Sequence, residues 1–256
     1  MGSYTRRTVV GGGLSVVALG GVGVTVSGEG ADSEEGGGDE SGDEEGAVAS
    51  RVRVAHFAPD VRSIEVSVGE DHRLELERFS IRSTDEEIEP GTHRLSIEGE
   101  EGLLVEEKID VGDGPLTVVV LGEACAVGDR ALSALRIEDD HRPTPEGLAR
   151  IQGVHASPDA PTVDVTLGEE TIISSLEFGD HRTIELPPGE ATIEVHAAEG
   201  DGAGESLGRF SIEPEAGRVY SAFGVGYVDP ESAPEEADGP SFALAISEDA
   251  APGEAE

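Results

Sequence analysis

Val54-Ala55-His56-Phe57-Ala58-Pro59-Asp60 is answered 99 residues later by Val154-His155-Ala156-Ser157-Pro158-Asp159, with His over His and Pro-Asp over Pro-Asp. The register continues at that offset. Ile64, Val66, Val68 and Gly69 fall on Val163, Val165, Leu167 and Gly168, and Phe79 falls on Phe178. One deletion later Glu89-Pro90-Gly91 meets Pro187-Pro188-Gly189, and Leu95 and Ile97 meet Ile193 and Val195. Self-similarity at a fixed long period marks one supersecondary unit used twice. Two homologous domains in tandem follow.

Inside each unit the apolar residues alternate, as in Ile64-x-Val66-x-Val68, Leu116-x-Val118-x-Val120, Val163-x-Val165-x-Leu167 and Phe242-x-Leu244-x-Ile246. Alternation buries one face of a strand, and no window carries a helical apolar stripe over three turns. Parallel βαβ units are thereby excluded, and an all-β chain of two immunoglobulin-like or transthyretin-like antiparallel β-sandwiches is expected, each with seven or eight strands. Pro90-Gly91 and Pro188-Gly189 supply a turn before a central strand, proline setting φ and glycine accepting a positive one. The expected layout is a targeting segment at 1–28, an acidic tether at 29–48, sandwiches at 49–139 and 150–248, a linker at 140–149 stiffened by Pro143 and Pro145, and a tail at 249–256.

The 256 residues carry a formal net charge of −38, with one lysine, Lys108, against 16 arginines, no Asn, no Trp and a single Gln152. In dilute buffer so many carboxylates repel one another, whereas at roughly 1 M salt the Debye length is about 3 Å and the repulsion is quenched. The charge therefore reads as adaptation to brine, with monovalent salt required for folding. Nucleic acid is excluded as a partner because phosphate neutralisation needs a basic stripe. Hydrophobic residues make up 36% of the chain, in short runs, so the core must be divided between units. With Cys125 alone no intramolecular disulfide is available, and its apolar surroundings suggest a small buried hydrophobe.

Arg6 and Arg7 stand directly before an uncharged stretch, 8–28, rich in glycine and valine. That pattern resembles a twin-arginine signal and implies export of a folded protein to the extracellular space or cell surface. A membrane anchor is the alternative, since about 20 uncharged residues can cross a bilayer as a helix. Membrane contact is then expected only through this segment, where it stays uncleaved. The tether beyond it carries too little apolar surface to fold.

His155-Ala-Ser-Pro-Asp-Ala-Pro-Thr-Val-Asp-Val165, followed by Leu176-x-Phe178-Gly179 and Leu186-Pro-Pro-Gly189, resembles the start of domain-of-unknown-function family 4397. The first domain is a degenerate copy, with Val61-Arg62-Ser63 where the pattern has Ala-Pro-x. The resemblance implies an exported tandem-domain protein and implies no reaction.

The repeated His-x-x-Pro-Asp makes His56, Pro59, Asp60, His155, Pro158 and Asp159 the candidate paired turn sites. A His and an Asp at a strand end could bind a divalent metal or form an acid–base pair. The same residues also suit a structural turn, in which the strand ends after His, proline fixes the bend and Asp accepts backbone N–H groups. The other histidines, His72, His93, His141, His181 and His196, lack ligand spacing and read as surface residues. No catalytic residue, metal or cofactor is assigned. The expected function is a noncatalytic exported or cell-surface module for adhesion, envelope interaction or ligand binding, with an unknown partner outside the cell. The rival readings are a calcium- or cation-binding spacer and a metal-assisted hydrolase using His155 and Asp159.

Overall fold

Ile64, Val66 and Val68 are buried while Ser63, Glu65 and Ser67 between them stay half exposed, the alternation of a strand with one face on a core. Such strands build both domains in the computed structural model, which describes residues 15–18, 50–140, 142–199 and 202–249. In chain order they are β1 (Ser15–Ala18), then β2 (Val52–His56), β3 (Ser63–Val68), β4 (His72–Glu77), β5 (Ser80–Ser83), β6 (Gly91–Gly99), β7 (Gly102–Val111), β8 (Leu116–Leu121) and β9 (Ser133–Glu138) of the first domain. The second domain supplies β10 (Ala149–His155), β11 (Val163–Leu167), β12 (Glu170–Leu176), β13 (His181–Leu186), β14 (Ala191–Glu199), β15 (Gly202–Ile212), β16 (Val219–Val225) and β17 (Ala243–Glu248). Among the described residues the helical elements are three-residue 3₁₀ turns.

Each domain is an eight-stranded sandwich with the same topology. The first stacks sheet β5-β2-β8-β9 on sheet β4-β3-β6-β7; the second stacks β13-β10-β16-β17 on β12-β11-β14-β15. The chain divides between these compact units after Asp140. Ser15–Ala18, within the uncharged N-terminal stretch, pair antiparallel with Ala243–Ile246 and add an edge strand beside β17. The rest of the expected targeting segment, the expected tether at 29–48, His141 and all of the expected tail but Asp249 lie outside the described residues.

One feature departs from purely antiparallel sheets: β2 runs parallel to β8, and β10 parallel to β16. The reason is topological. Parallel neighbours need a long crossover, and here most of a domain intervenes between the two strands, so the entering strand can dock between its hairpin-distant neighbours. The Pro-Gly turns have the expected backbone, with φ of 151° at Gly91 and 112° at Gly189.

The two parallel ladders also give a residue-by-residue equivalence. Val54 lies opposite Val118 and His56 opposite Val120; correspondingly Gly153 lies opposite Ala222 and His155 opposite Gly224. The first core closes around Val52, Val54, Val66, Leu95, Ile97, Ile109, Val118 and Val120, all at or near zero exposure. The second is built on Ile151, Val163, Val195, Phe210, Tyr220 and Phe242.

Candidate functional site

His56 is the last residue of β2 and is fully buried. The ladder persists one residue further, because Phe57 N–H donates to the Val120 carbonyl at 2.7 Å, and then Pro59-Asp60 turns the chain. Across that turn the Nε2–H of His56 donates to the Val61 carbonyl at 3.0 Å. Because a carbonyl can only accept, this bond fixes the neutral Nε2–H tautomer and leaves Nδ1 as a buried lone pair with no partner among the described residues. Burial pulls the imidazole pKa down from 6.5 to about 4. The Val61 bond works against that and the nearby Arg78 with it. Arg78 also donates to the Pro59 carbonyl, so the turn is held from both sides.

The second domain repeats the arrangement with different neighbours. His155 Nε2–H donates to the Pro161 carbonyl at 3.0 Å, and its ring meets Phe178 edge-on, with centroids 5.9 Å apart. Burial again lowers its pKa, opposed by the Pro161 bond and by Asp159 and Asp180. The main-chain carbonyls of the two histidines are also used, accepting from Phe79 N–H at 2.8 Å and Gly179 N–H at 2.9 Å.

The aspartates reach a third loop. Asp159 accepts Val228 N–H on Oδ1 and Asp229 N–H on Oδ2, both at 2.8 Å. Ser157 stands 3.3 Å from Oδ1 and donates its hydroxyl to the Gly226 carbonyl at 2.7 Å. Asp60 makes the weaker version, accepting Cys125 N–H at 3.2 Å on Oδ2, while its buried Oδ1 has no partner among the described residues. The loops they capture are aimed by Gly122 and Gly226, at φ of 89° and 81°. A β-carbon at either position would sit 2.5 Å from a backbone oxygen, of Ala131 or of Ser241, so only glycine lets the chain pass there.

His and Asp of each repeat thus act as two halves of a clip that ties three loops at one end of a sandwich. No hydrogen bond joins His to Asp in either copy among the described residues, and no group of three potential metal ligands occurs among them. The arrangement organises backbone.

Two other expectations are corrected. Cys125 is exposed, in the turn after β8, because the apolar run stops at Leu121 and Gly122 bends the chain away from the core. His196 is half-buried rather than exposed. Its side chain retains 12% exposure, with Nε2 3.4 Å from Thr166 Oγ1 and 3.7 Å from a Glu194 carboxylate oxygen.

Sequence reasoning missed a cavity of about 160 Å³ between the sheets of the second domain. Gly153, His155, Ala222 and Gly224 line one wall, and Val163 and Val195 are among the residues opposite. Tyr220, Glu190, Ser211 and Glu213 also border it.

The family described as Domain of unknown function (DUF4397) matches residues 50–166 and again residues 154–237. No curated protein matches the chain. Among solved structures, the Bacillus anthracis TIE protein is similar at 12% identity over 70% of this chain and 34% of its own, with a TM-score of 0.22. Human GIVD cytosolic phospholipase A2 is similar at 14% identity over 74% of this chain and 29% of its own, with a TM-score of 0.24. The chain spans about a third of the length of either protein.

Proposed function

The chain belongs to the DUF4397 family, with two copies in tandem, and we propose that it is a noncatalytic binding module displayed outside the cell in concentrated salt. The observation that carries the salt adaptation is a row of carboxylates. Glu75, Glu65 and Glu98 stand directly opposite one another on neighbouring strands β4, β3 and β6, on the solvent side of one sheet. Like charges facing across strands destabilise a sheet. Arg73 answers Glu65 at 2.8 Å, and a screening solvent is the natural remedy for the rest. Brine is such a solvent, and it lies outside the cell as well as in some cytoplasms.

Export is supported by Arg6-Arg7 before the uncharged stretch. The noncatalytic character is supported by what the repeated His and Asp do: the Nε2–H of each His and both carboxylate oxygens of Asp159 bind backbone groups of their own domain. Such groups are committed before any substrate arrives.

The experiment is expression of the full chain in a salt-adapted host, with cell fractionation and a broad hydrolase panel in molar KCl. The reading predicts surface or medium localisation, retention inside the cell when Arg6 and Arg7 are replaced by lysine, and no turnover. Equal distribution of both forms, or turnover abolished by His155→Ala, contradicts it.

A further inference from the structure

We propose that the second domain is a binding site for a small, uncharged amphipathic molecule, an alkyl chain with a hydroxyl head, held in the cavity between its sheets. The case rests on comparing the two copies position by position. Where the first domain has Val54, Val118 and Val120, all with zero exposure in a closed core, the second has Gly153, Ala222 and Gly224, and all three line the cavity. On the facing sheet Ile64 and Ile97 become Val163 and Val195, which also line it. Five equivalent positions have lost side-chain carbon, and they converge on one space.

Some volume is returned from the flank. Phe210 now packs against Phe242, with ring centroids 6.0 Å apart, and Phe242 approaches within 3.4 Å of where a Gly224 β-carbon would lie. The 160 Å³ that remains matches in size an apolar cavity of about 150 Å³ that stays dry and binds benzene, so it takes a molecule of roughly six to eight carbons. Between Ile151 and His155 the slot follows β10 for about 13 Å at the rise of a strand, which suits a linear chain.

The chemistry of the two ends sets the head group. At the deep end lies His155, its Nε2–H already given to Pro161. At the other end Glu190, Ser211 and Glu213 are exposed and border the cavity, so the opening is there. Tyr220 stands beside them. Its hydroxyl accepts Glu215 N–H at 3.1 Å and therefore keeps its own proton to donate. A carboxylate head would meet two glutamates at this opening; a hydroxyl can accept from Tyr220 and donate to a glutamate.

The test uses the full chain in molar KCl with 1-octanol and octanoate as probes, read by isothermal titration and by NMR of the methyl groups. Filled variants carry the first domain's residues, Ala222→Val with Val195→Ile, and Val195→Ile alone in case the pair fails to fold. Circular dichroism reports folding. Expected are saturable 1-octanol binding to the wild type, at least tenfold weaker binding to each folded filled variant, and at least tenfold weaker binding of octanoate. Methyl shifts should concentrate on Val163, Val195 and Leu244. No saturable binding of 1-octanol, or equal binding to wild type and filled variants, overturns the site; octanoate binding as tightly as 1-octanol overturns the assigned head group.

Discussion

The Nε2–H of His56 donates to the carbonyl of Val61 at 3.0 Å, and His155 makes the same bond to Pro161 at the same distance. Burial holds both rings toward the neutral form against the pull of these bonds, and the consequence is a pH dependence of known sign. With its pKa near 4 in the folded chain and 6.5 when unfolded, His56 takes up a proton more readily in the unfolded state throughout that interval. Stability contributed by its neutral form is full above pH 6.5 and is lost as pH falls toward 4, by about 3 kcal/mol in total. Denaturant unfolding in molar KCl should show this slope, and His56→Gln, which keeps a donor but cannot titrate, should flatten it. An unchanged slope in the variant would remove His56 from the account.

The aspartate half of the clip is unequal between copies. Asp159→Ala should cost about 2 to 3 kcal/mol, since two backbone N–H groups lose a charged acceptor, whereas Asp60→Ala should cost about 1 kcal/mol for its single longer bond. Chemical denaturation of each variant at high salt measures both, and the order of the two is the decisive result.

Core substitutions should behave oppositely in the two domains. Val118→Ala opens a closed core and should cost about 2 kcal/mol. Ala222→Val restores the same side chain to a core with room for it and should be neutral or stabilising by up to about 1 kcal/mol. Melting curves of the two variants in one buffer compare them directly.

Much of this architecture was legible from residues alone, for identifiable reasons. Period-2 runs such as Ile64-x-Val66-x-Val68 force strands, and the His-x-x-Pro-Asp repeat forces two like domains. The parallel pairing of β2 with β8 was not legible, because alternation says which face is buried and nothing about which distant strand lies alongside. The cavity was hidden for a related reason. Val54 over Gly153 can be read from the 99-residue offset, but Val118 over Ala222 appears only once the ladders fix the equivalence, since the intervening loops differ in length. Cys125 reads as buried from its apolar sequence neighbours, but the strand ends at Leu121 and the positive φ of Gly122 turns the chain before it.

The glutamate row on the first domain gives a surface prediction. Glu75→Gln with Glu98→Gln removes the two charges flanking Glu65. It should lower the KCl concentration at which the first domain folds, with little effect in molar salt, where screening already operates. Folding midpoints against KCl measure it; an unchanged midpoint would mean that these charges do not set the salt requirement.

Thermal melts of the full chain by circular dichroism, from dilute buffer to molar KCl, with calcium or magnesium added at matched ionic strength, test the central claim most directly. If the carboxylates are an adaptation to solvent, the β signal and melting temperature rise with KCl, and calcium and magnesium are interchangeable. If millimolar calcium alone folds the chain where magnesium does not, the carboxylates form a specific cation site and the account is wrong.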